Sequence, residues 1–428
     1  MKGFPALSEI PCENDYDVLV CGSGMGGIAA SCAASEAGLR VGVIEYFGEL
    51  GGIPVNGALG SISGFSRQGV VAVAGFARQF ADKINARGKA LVQNGGQNIN
   101  LAPTEIGDFI WELLDFYRID ALLYTRLVAA VTDDDGYITE VVTSGKEGLR
   151  RIKAKLFIDA TGDGDLAAMA GAPFAYGRES DGKVQSATLI FILGGIEREK
   201  MPSYMDIRQV WKSKERPVPI NHSVFQFVPH NENSNEIAVN MTHALNADPL
   251  SARGLTMIRR ECMKQAHYLV EEFFRKEIPG FEKAWISRFA PQVGIRESRR
   301  ILGDYLLTGD DVVSARRFDD GIACGIWGID VHDPAGVHTG ISRNLEKSYG
   351  IPYRSITPKS LKNLLMACRA ISADHIAISS SRINATCMAV GEAAGCAAPM
   401  AIASGDVHHI DVAELKRKIE NMQYHCFK

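Results

Sequence analysis

Short runs of consecutive apolar residues recur along the chain, and each is bounded by glycine or polar residues. The clearest are Tyr16 to Cys21, Leu39 to Ile44, Lys155 to Ala160 and Asn363 to Cys368. A strand buried on both faces of a parallel sheet has this continuous pattern, whereas a half-exposed strand alternates apolar and polar positions. The runs therefore predict an α/β protein built around a parallel sheet.

A glycine-rich turn and a helix of small residues join the first two runs. The turn contains Gly22, Ser23, Gly24, Met25, Gly26 and Gly27. Gly22 permits a tight turn, Gly24 permits a close approach of pyrophosphate to the backbone, and Gly27 permits close packing of the helix on the strand. The helix, Ile28 to Ala37, stops at Gly38 and presents free N–H groups at its start, while Glu45 can accept hydrogen bonds from ribose hydroxyls. The unit predicts a Rossmann-type dinucleotide site; the alternative is a turn without a ligand.

Three further segments indicate which dinucleotide the site binds. Gly51-Gly52 follows Glu45 closely, and this second glycine pair resembles the two-dinucleotide-binding flavoproteins, in which the loop lies along FAD. The strand-ATGDGD-helix pattern ending near Ala170 resembles the second FAD contact of the same proteins. The small-residue helix from about Asn384 to Ala403 resembles the one whose N-terminus faces the flavin. The alternative for the Gly51-Gly52 segment is a flexible loop. For the ATGDGD segment it is aspartates that only cap a helix, and for the C-terminal helix it is an ordinary core helix.

The sequence resembles a family of FAD-dependent oxidoreductases whose members are often labelled xanthan lyase, related to the fumarate-reductase and thiazole-synthase type flavoproteins. The resemblance covers about Tyr16 to Ala403. Besides the segments above, it is carried by the motifs GIRESRRILGDYLLTGDDV at 294–312, IDVHDP at 329–334 and IPYRSITPKSLKNLLMACRAIS at 351–372. It implies FAD and the fold, but the reaction only loosely, because one fold hosts many chemistries. No histidine or cysteine lies in an obvious context for covalent flavin attachment, so we expect the FAD to be non-covalent.

The resemblance also implies which residues contact FAD. They are Gly22, Ser23, Gly24, Met25, Gly26, Gly27, Glu45, Tyr46, Gly51, Gly52, Val128, Ala160, Thr161, Gly162, Asp163, Asp165, Arg382 and Asn384. The expected organisation is a first part of the FAD-binding domain at 1–195, an inserted α+β cap or substrate region at 196–290, an active-site segment at 291–350, and the rest of the FAD-binding domain at 351–428. In the cap we predict strands at Ser223 to Pro229 and Glu236 to Met241, and a core-facing helix from Ser251 to Lys276.

Catalytic candidates lie around residues 294–340. Arg296 and Arg299 could grip a substrate carboxylate or stabilise negative charge on the flavin, or could belong to an ion-pair network with Glu297. His332 could accept a proton when a flavin removes hydride from a C–H beside an O–H or N–H, or could simply be a buried hydrogen-bonded histidine. His338 could face the same pocket. Asn56 and His375 are further candidates near the flavin.

Composition excludes several classes. The 428 residues include 46% hydrophobic and 22% charged, with a net charge of −4, which gives no electrostatic reason to expect nucleic acid or a membrane surface. The nine cysteines show no metal-ligand or redox spacing, so we expect no metal and a reducing compartment. With no signal-like N-terminus, the expected location is the cytoplasm.

The sequence therefore predicts an FAD-dependent oxidoreductase that transfers a hydride between flavin N5 and a small polar molecule, carbohydrate-related or carboxylate-bearing. Two alternatives stay open: a flavin-dependent hydroxylase or thiazole-synthase-like enzyme, and a non-catalytic FAD-binding subunit of an electron-transfer assembly. Homo-oligomers are common in this class, but no residue indicates a number of subunits.

Overall fold

The structure is a computed structural model that describes residues 5–87, 91–93, 98–218, 220, 227–229, 235–336 and 341–427. The helices are α1 (Met25–Glu36), α2 (Gly75–Asn85), α3 (Pro103–Tyr117), α4 (Asp165–Met169), α5 (Tyr204–Lys212), α6 (Ala252–Tyr268), α7 (Arg275–Glu277), α8 (Gly309–Val313), α9 (Ile378–Ser381), α10 (Asn384–Ser404) and α11 (Val412–Asn421). The strands are β1 (Cys12–Cys21), β2 (Val41–Ile44), β3 (Ser61–Ser63), β4 (Ser66–Arg67), β5 (Val70–Val71), β6 (Leu91–Gln93), β7 (Asn98–Asn100), β8 (Asp120–Leu122), β9 (Arg126–Thr132), β10 (Ile138–Gly145), β11 (Gly148–Asp159), β12 (Phe174–Tyr176), β13 (Phe191–Gly194), β14 (Phe227–Pro229), β15 (Ile237–Val239), β16 (Trp285–Phe289), β17 (Arg299–Ile301), β18 (Gly321–Gly325), β19 (Ile329–Asp330), β20 (Ser342–Arg343), β21 (Tyr349–Pro352) and β22 (Leu364–Met366).

A seven-stranded sheet forms the centre of the molecule. Its order is β8-β2-β1-β11-β10-β9, and β22 pairs with the last residues of β11. The strands β8, β2, β1, β11 and β22 are parallel, whereas β10 and β9 form an antiparallel extension. All four apolar runs found in the sequence are central parallel strands, so the predicted parallel sheet is confirmed.

Two helices of small residues pack face to face on this sheet. A Cβ on Gly391 of α10 would lie 2.0 Å from the carbonyl oxygen of Gly26 in α1, and one on Gly395 would lie 2.3 Å from that of Ala30. Real Cβ atoms do not come so close, so only glycine permits this crossing. The same constraint explains why α1 begins at Met25, earlier than the predicted Ile28: Gly26 and Gly27 form its first turn.

A separate four-stranded antiparallel sheet, ordered β14-β15-β13-β16, carries the second apolar core. It packs with α5 and with the long helix that begins at Ala252. That helix was predicted as one element, but it changes to a π-helical turn at Leu269–Phe274 before α7. The π turn buries Phe273 and Phe274 in the core of this region. Of the strand predicted at Ser223 to Pro229, the described part is β14, and residues 223–226 lie outside the described residues.

One helix in the described ranges, α10, is long and apolar enough to cross a membrane, which the sequence analysis did not recognise. However, 72% of its apolar window is buried inside the protein. Its contacts with α1 and the sheet are those of a core helix.

Candidate functional site

The glycine turn after β1 is held in place by Glu45. One carboxylate oxygen of Glu45 accepts hydrogen bonds from the Ser23 backbone N–H at 2.9 Å and the Ser23 hydroxyl at 2.5 Å, and the other accepts the Phe47 N–H. Gly22 adopts a φ of +100°, and a Cβ there would lie 2.4 Å from the Ala160 carbonyl oxygen. The first-turn N–H groups of α1 have no intrahelical partner. Glu45 thus fixes the turn and keeps acceptor capacity on one oxygen for a further donor.

The second glycine pair lies directly against the first turn. Gly51 donates its N–H to the Ser23 carbonyl at 2.9 Å and pairs with Gly24, and a Cβ on Gly52 would come within 2.9 Å of the Gly24 Cα. Two sequence-distant glycine segments therefore form one narrow cradle.

Tyr46 and Val128 lie farther out along the same edge of the sheet. The Tyr46 side chain is exposed, with the Arg126 guanidinium 5.3 Å from its ring centroid, and Val128 is exposed on β9. Neither lines the cavity described below, and their predicted FAD contacts stay predictions.

The aspartates after β11 contact other parts of the protein. Asp163 accepts hydrogen bonds from Ser298 and Arg369, and Asp165 pairs with Arg299 at 2.7 Å. The alternative that either one is the N-cap of α4 is wrong, because Gly164 occupies that position. Instead, Asp159 accepts the Ala167 N–H at 2.9 Å and the Thr161 N–H at 3.0 Å. Burial raises the pKa of Asp159 to about 6, despite these hydrogen bonds.

A single cavity runs from the glycine cradle into the interior. It contains about 1250 Å³ of space free of protein atoms, part of it open to solvent. It extends between the N-termini of α1 and α10. Its lining includes Gly24, Met25, Gly26, Ile53, Ser61, Ala160, Gly162, Asn240, Arg296, Trp327, Asp330, His332, Cys368, Arg369, Arg382, Asn384 and Cys387.

Four charged or titratable side chains meet at the inner end of the cavity: Arg296, Arg382, Asp330 and His332. Arg296 donates to the Ser186 carbonyl at 2.8 Å, and Arg382 donates to the Gln185 side-chain oxygen at 2.7 Å and to the Asp330 carbonyl at 3.0 Å. The ring nitrogen Nε2 of His332 lies 3.3 Å from the Asp330 carboxylate.

The enclosure of this cluster sets its charge states. Burial, together with the charge of Arg382, lowers the pKa of the Arg296 guanidinium to about 9, so it is still cationic at neutral pH. Burial and the charge of Arg296 lower the pKa of His332 to about 4, although Asp330 opposes this. Burial raises the pKa of Asp330, but His332 and the two arginines outweigh it and hold that pKa well below its usual value. At neutral pH the cluster holds two cations, one carboxylate and a neutral imidazole.

Among the described residues, the other candidates Arg299, Asn56 and His375 do not line the cavity. Arg299 contacts Asp165, Arg300 pairs with buried Glu297, and His375 lies 2.8 Å from the same carboxylate. Asn56 donates to the Glu49 carbonyl at 2.8 Å. His338 lies outside the described residues.

Sequence reasoning missed several residues of the cavity. Asp330 belongs to the IDVHDP motif but was not singled out, and Arg369 and Trp327 carried no local signal. Cys368 and Cys387 also line the cavity, although they were interpreted only as small buried residues. Their positions follow from tertiary packing rather than from spacing along the chain.

The residues present fit FAD. The cradle leaves no room for a Cβ at Gly52, and the first turns of α1 and α10 both open into the cavity. The Nε of Arg369 is buried without a hydrogen-bond partner among the described residues, as a donor reserved for a bound group would be. Asn384 is positioned by its hydrogen bond to the Ser61 carbonyl at 2.9 Å.

Comparisons with known proteins identify the family to which the chain is similar. The family described as FAD dependent oxidoreductase matches residues 17–419. A geranylgeranyl bacteriochlorophyll reductase-like protein from Thermoplasma acidophilum is similar in structure at 14% identity, covering 95% of this chain and 82% of that chain, with a TM-score of 0.48. Glycine oxidase from Geobacillus kaustophilus is similar at 13% identity, covering 94% and 98%, with a TM-score of 0.43. At such values these structures say nothing about substrate, and no curated protein matches the sequence.

Proposed function

Because the chain belongs to the FAD-dependent oxidoreductase family, we propose that it transfers a hydride between the flavin and a small polar substrate that carries an anionic group. Membership confirms the prediction of FAD, of a Rossmann-type FAD-binding fold and of an oxidoreductase. When bound, FAD supplies the two-electron chemistry at its N5 atom.

One observation carries the proposal: the cavity that begins at the dinucleotide cradle ends at a cluster with excess positive charge. Among the described lining residues the arginines are Arg296, Arg369 and Arg382, and the one carboxylate is Asp330. Arg369 is neutralised by Asp163, and Asp330 offsets one of the two remaining cations. A substrate carboxylate would supply the missing negative charge, and a guanidinium can bind it through two parallel hydrogen bonds.

His332 and Asp330 fit the role of proton acceptor. His332 is neutral near pH 7 and therefore has a ring nitrogen free to accept a proton. If the reacting carbon of the substrate carries both a hydrogen and a hydroxyl group, its oxidation would send the hydride toward the flavin. The hydroxyl proton would then pass to His332 and Asp330. Arg296 would orient the substrate so that both atoms leave in the correct directions.

The first test is anaerobic mixing of the yellow holoprotein with matched pairs of compounds, each an acid and its neutral amide or ester. The set includes 2-hydroxy acids, sugar acids and amino acids. We expect an anionic member to bleach the visible flavin absorbance, and its neutral counterpart to do so at least tenfold more slowly. A neutral compound that bleaches faster would contradict the anionic substrate class. Bleaching by NAD(P)H alone would instead favour the hydroxylase alternative.

Two arginine variants decide between the predicted catalytic residues. Arg296→Met removes the cation inside the cavity, whereas Arg299→Met removes a cation of similar size that contacts Asp165. We expect both to retain FAD, and only Arg296→Met to lose about tenfold or more in affinity for the anionic substrate. Equal losses in the two variants would contradict the assignment to Arg296.

A further inference from the structure

A second histidine lies behind His332 and comes from the other sheet region of the chain. His243 follows β15 and is buried, and its ring stacks on that of His332 with centroids 5.4 Å apart and an interplanar angle of 28°. The Gln265 side chain of α6 makes two hydrogen bonds with the His243 backbone. Its amide oxygen accepts the backbone N–H at 2.7 Å, and its amide nitrogen donates to the backbone carbonyl at 2.8 Å. This double contact fixes the backbone that presents the ring.

The hydrogen-bond partners determine which ring nitrogens carry protons. Nδ1 of His243 lies 3.1 Å from the Met241 carbonyl oxygen, which can only accept, so Nδ1 carries the proton. Nε2 of neutral His243 then has a lone pair, and it lies 3.2 Å from Nδ1 of His332. In this arrangement His332 donates from Nδ1 and leaves its own Nε2 unprotonated.

The hydrogen bonds from Met241 through His243 to His332 end at two acceptors that face each other. Nε2 of neutral His332 lies 3.3 Å from an Asp330 carboxylate oxygen with no proton between them. One added proton would bond the two groups together. The pair lies in the cavity wall, where a proton from a substrate can reach it.

We infer that His243 is a positioning residue that holds His332 as the Nδ1–H tautomer, so that His332 Nε2 and Asp330 form a site for a single proton. The use of that proton in turnover rests on the proposed function; the tautomer does not. Without His243, Asp330 would favour the opposite tautomer, in which Nε2–H donates to the carboxylate and the proton site is already filled.

The surrounding charges are consistent with this arrangement. Arg296 and Arg382 disfavour a positive charge on His332, whereas Asp330, two residues earlier in the chain, favours it. His243 contacts the other side of the ring. Burial and the charge of Arg296 also lower the pKa of His243, which keeps that ring neutral. Both imidazoles are therefore neutral near pH 7.

Nitrogen-15 NMR of histidine-labelled holoprotein at pH 7 tests the inference, because the two ring nitrogens of each tautomer have widely separated shifts. The chain has 10 histidines, and the His332 signals are those lost in His332→Gln. We expect His332 to be in the Nδ1–H form in the wild type and in the Nε2–H form in His243→Phe. In His243→Gln the amide oxygen can replace the lost acceptor, so we expect His332 to be in the Nδ1–H form again. His267→Phe, an exposed histidine on α6, serves as the control that leaves His332 unchanged.

Two results would overturn the inference: a wild-type His332 in the Nε2–H form, or an unchanged His332 in folded His243→Phe. The wild-type measurement decides the point even if His243→Phe does not fold. Neither result depends on turnover, so the tautomer can fail while the proposed function stands. Conversely, undiminished substrate-driven bleaching in His332→Gln would remove the proposed role of His332 and leave the tautomer intact.

Discussion

Glu392 of α10 makes the stability of this protein depend on pH in a direction opposite to that of most carboxylates. Its side chain is buried, and one oxygen accepts the Phe76 N–H at 3.0 Å and the Tyr424 hydroxyl at 2.9 Å. These hydrogen bonds favour the ionised form, but burial outweighs them and raises the pKa to about 7 from a model-compound value of 4.5. The folded protein thus holds this proton more tightly than the unfolded chain does.

The sign and size of the effect follow from that difference. Stability from this group is fully present below about pH 4.5 and is lost as the pH rises to about 7. A difference of about 2.5 pKa units corresponds to about 3 kcal/mol in the free energy of unfolding. For a chain of this length, with an unfolding entropy of about 2 cal/mol/K per residue, this amounts to about 4 °C in Tm.

Glu392→Gln removes the titration and keeps an acceptor oxygen for Phe76 and Tyr424. We expect the Tm of the variant, relative to the wild type, to rise by about 3 °C between pH 5 and pH 8, because about three quarters of the effect falls in this interval; the measurement is circular dichroism with FAD in excess. Glu420→Gln is the matched control, because Glu420 is an exposed residue of α11 that lines, together with Glu392, a cavity separate from the one described above. A variant-minus-wild-type difference that does not change with pH would refute the reasoning.

Two further predictions concern the cofactor. Gly391→Ala places a Cβ 2.0 Å from the Gly26 carbonyl oxygen, so we expect a loss of about 1–3 kcal/mol in stability and a lower flavin content per chain after desalting; full flavin content would contradict the tight crossing. Arg369→Met removes the cavity arginine with the unpartnered Nε, so fluorescence titration of the apoprotein should show FAD binding weakened about tenfold or more. Arg354→Met, at a half-exposed arginine paired with Asp320, should leave FAD affinity unchanged.

The parts of the fold that the sequence predicted correctly are those with local signals. The run Tyr16 to Cys21 and the glycines after it specify a buried strand and a tight turn within a few residues. The predicted start of α1 is late because glycine disfavours helix interiors, whereas Gly26 lies inside the helix here, where a Cβ would come within 2.0 Å of the Ala367 carbonyl oxygen and 2.9 Å of that of Cys387. Local propensity was overridden by a contact more than 300 residues away in the chain.

The polar cluster could not be predicted in the same way. The sequence does not distinguish Arg296, Arg299 and Arg300, yet of these three only Arg296 lines the cavity. The other two lie on β17, where Arg299 pairs with Asp165 and Arg300 pairs with Glu297. His243 carried no signal at all, since it lies in a region predicted only as a cap. Its contact with His332 depends on tertiary packing, because the two residues are 89 positions apart in the chain.

The close crossing of α1 and α10 explains why cofactor and substrate groups share one cavity. With no side chains at Gly26 and Gly391, the two helices approach until their N-termini open on the same space. Both N-termini carry partial positive charge, one beside the glycine cradle and the other beside Arg382 and Asn384. An enlarged side chain at the crossing would therefore move the glycine turn away from Arg296 and Arg382 as well as destabilise the core. If the proposed roles of these residues are correct, flavin binding and substrate geometry should be lost together.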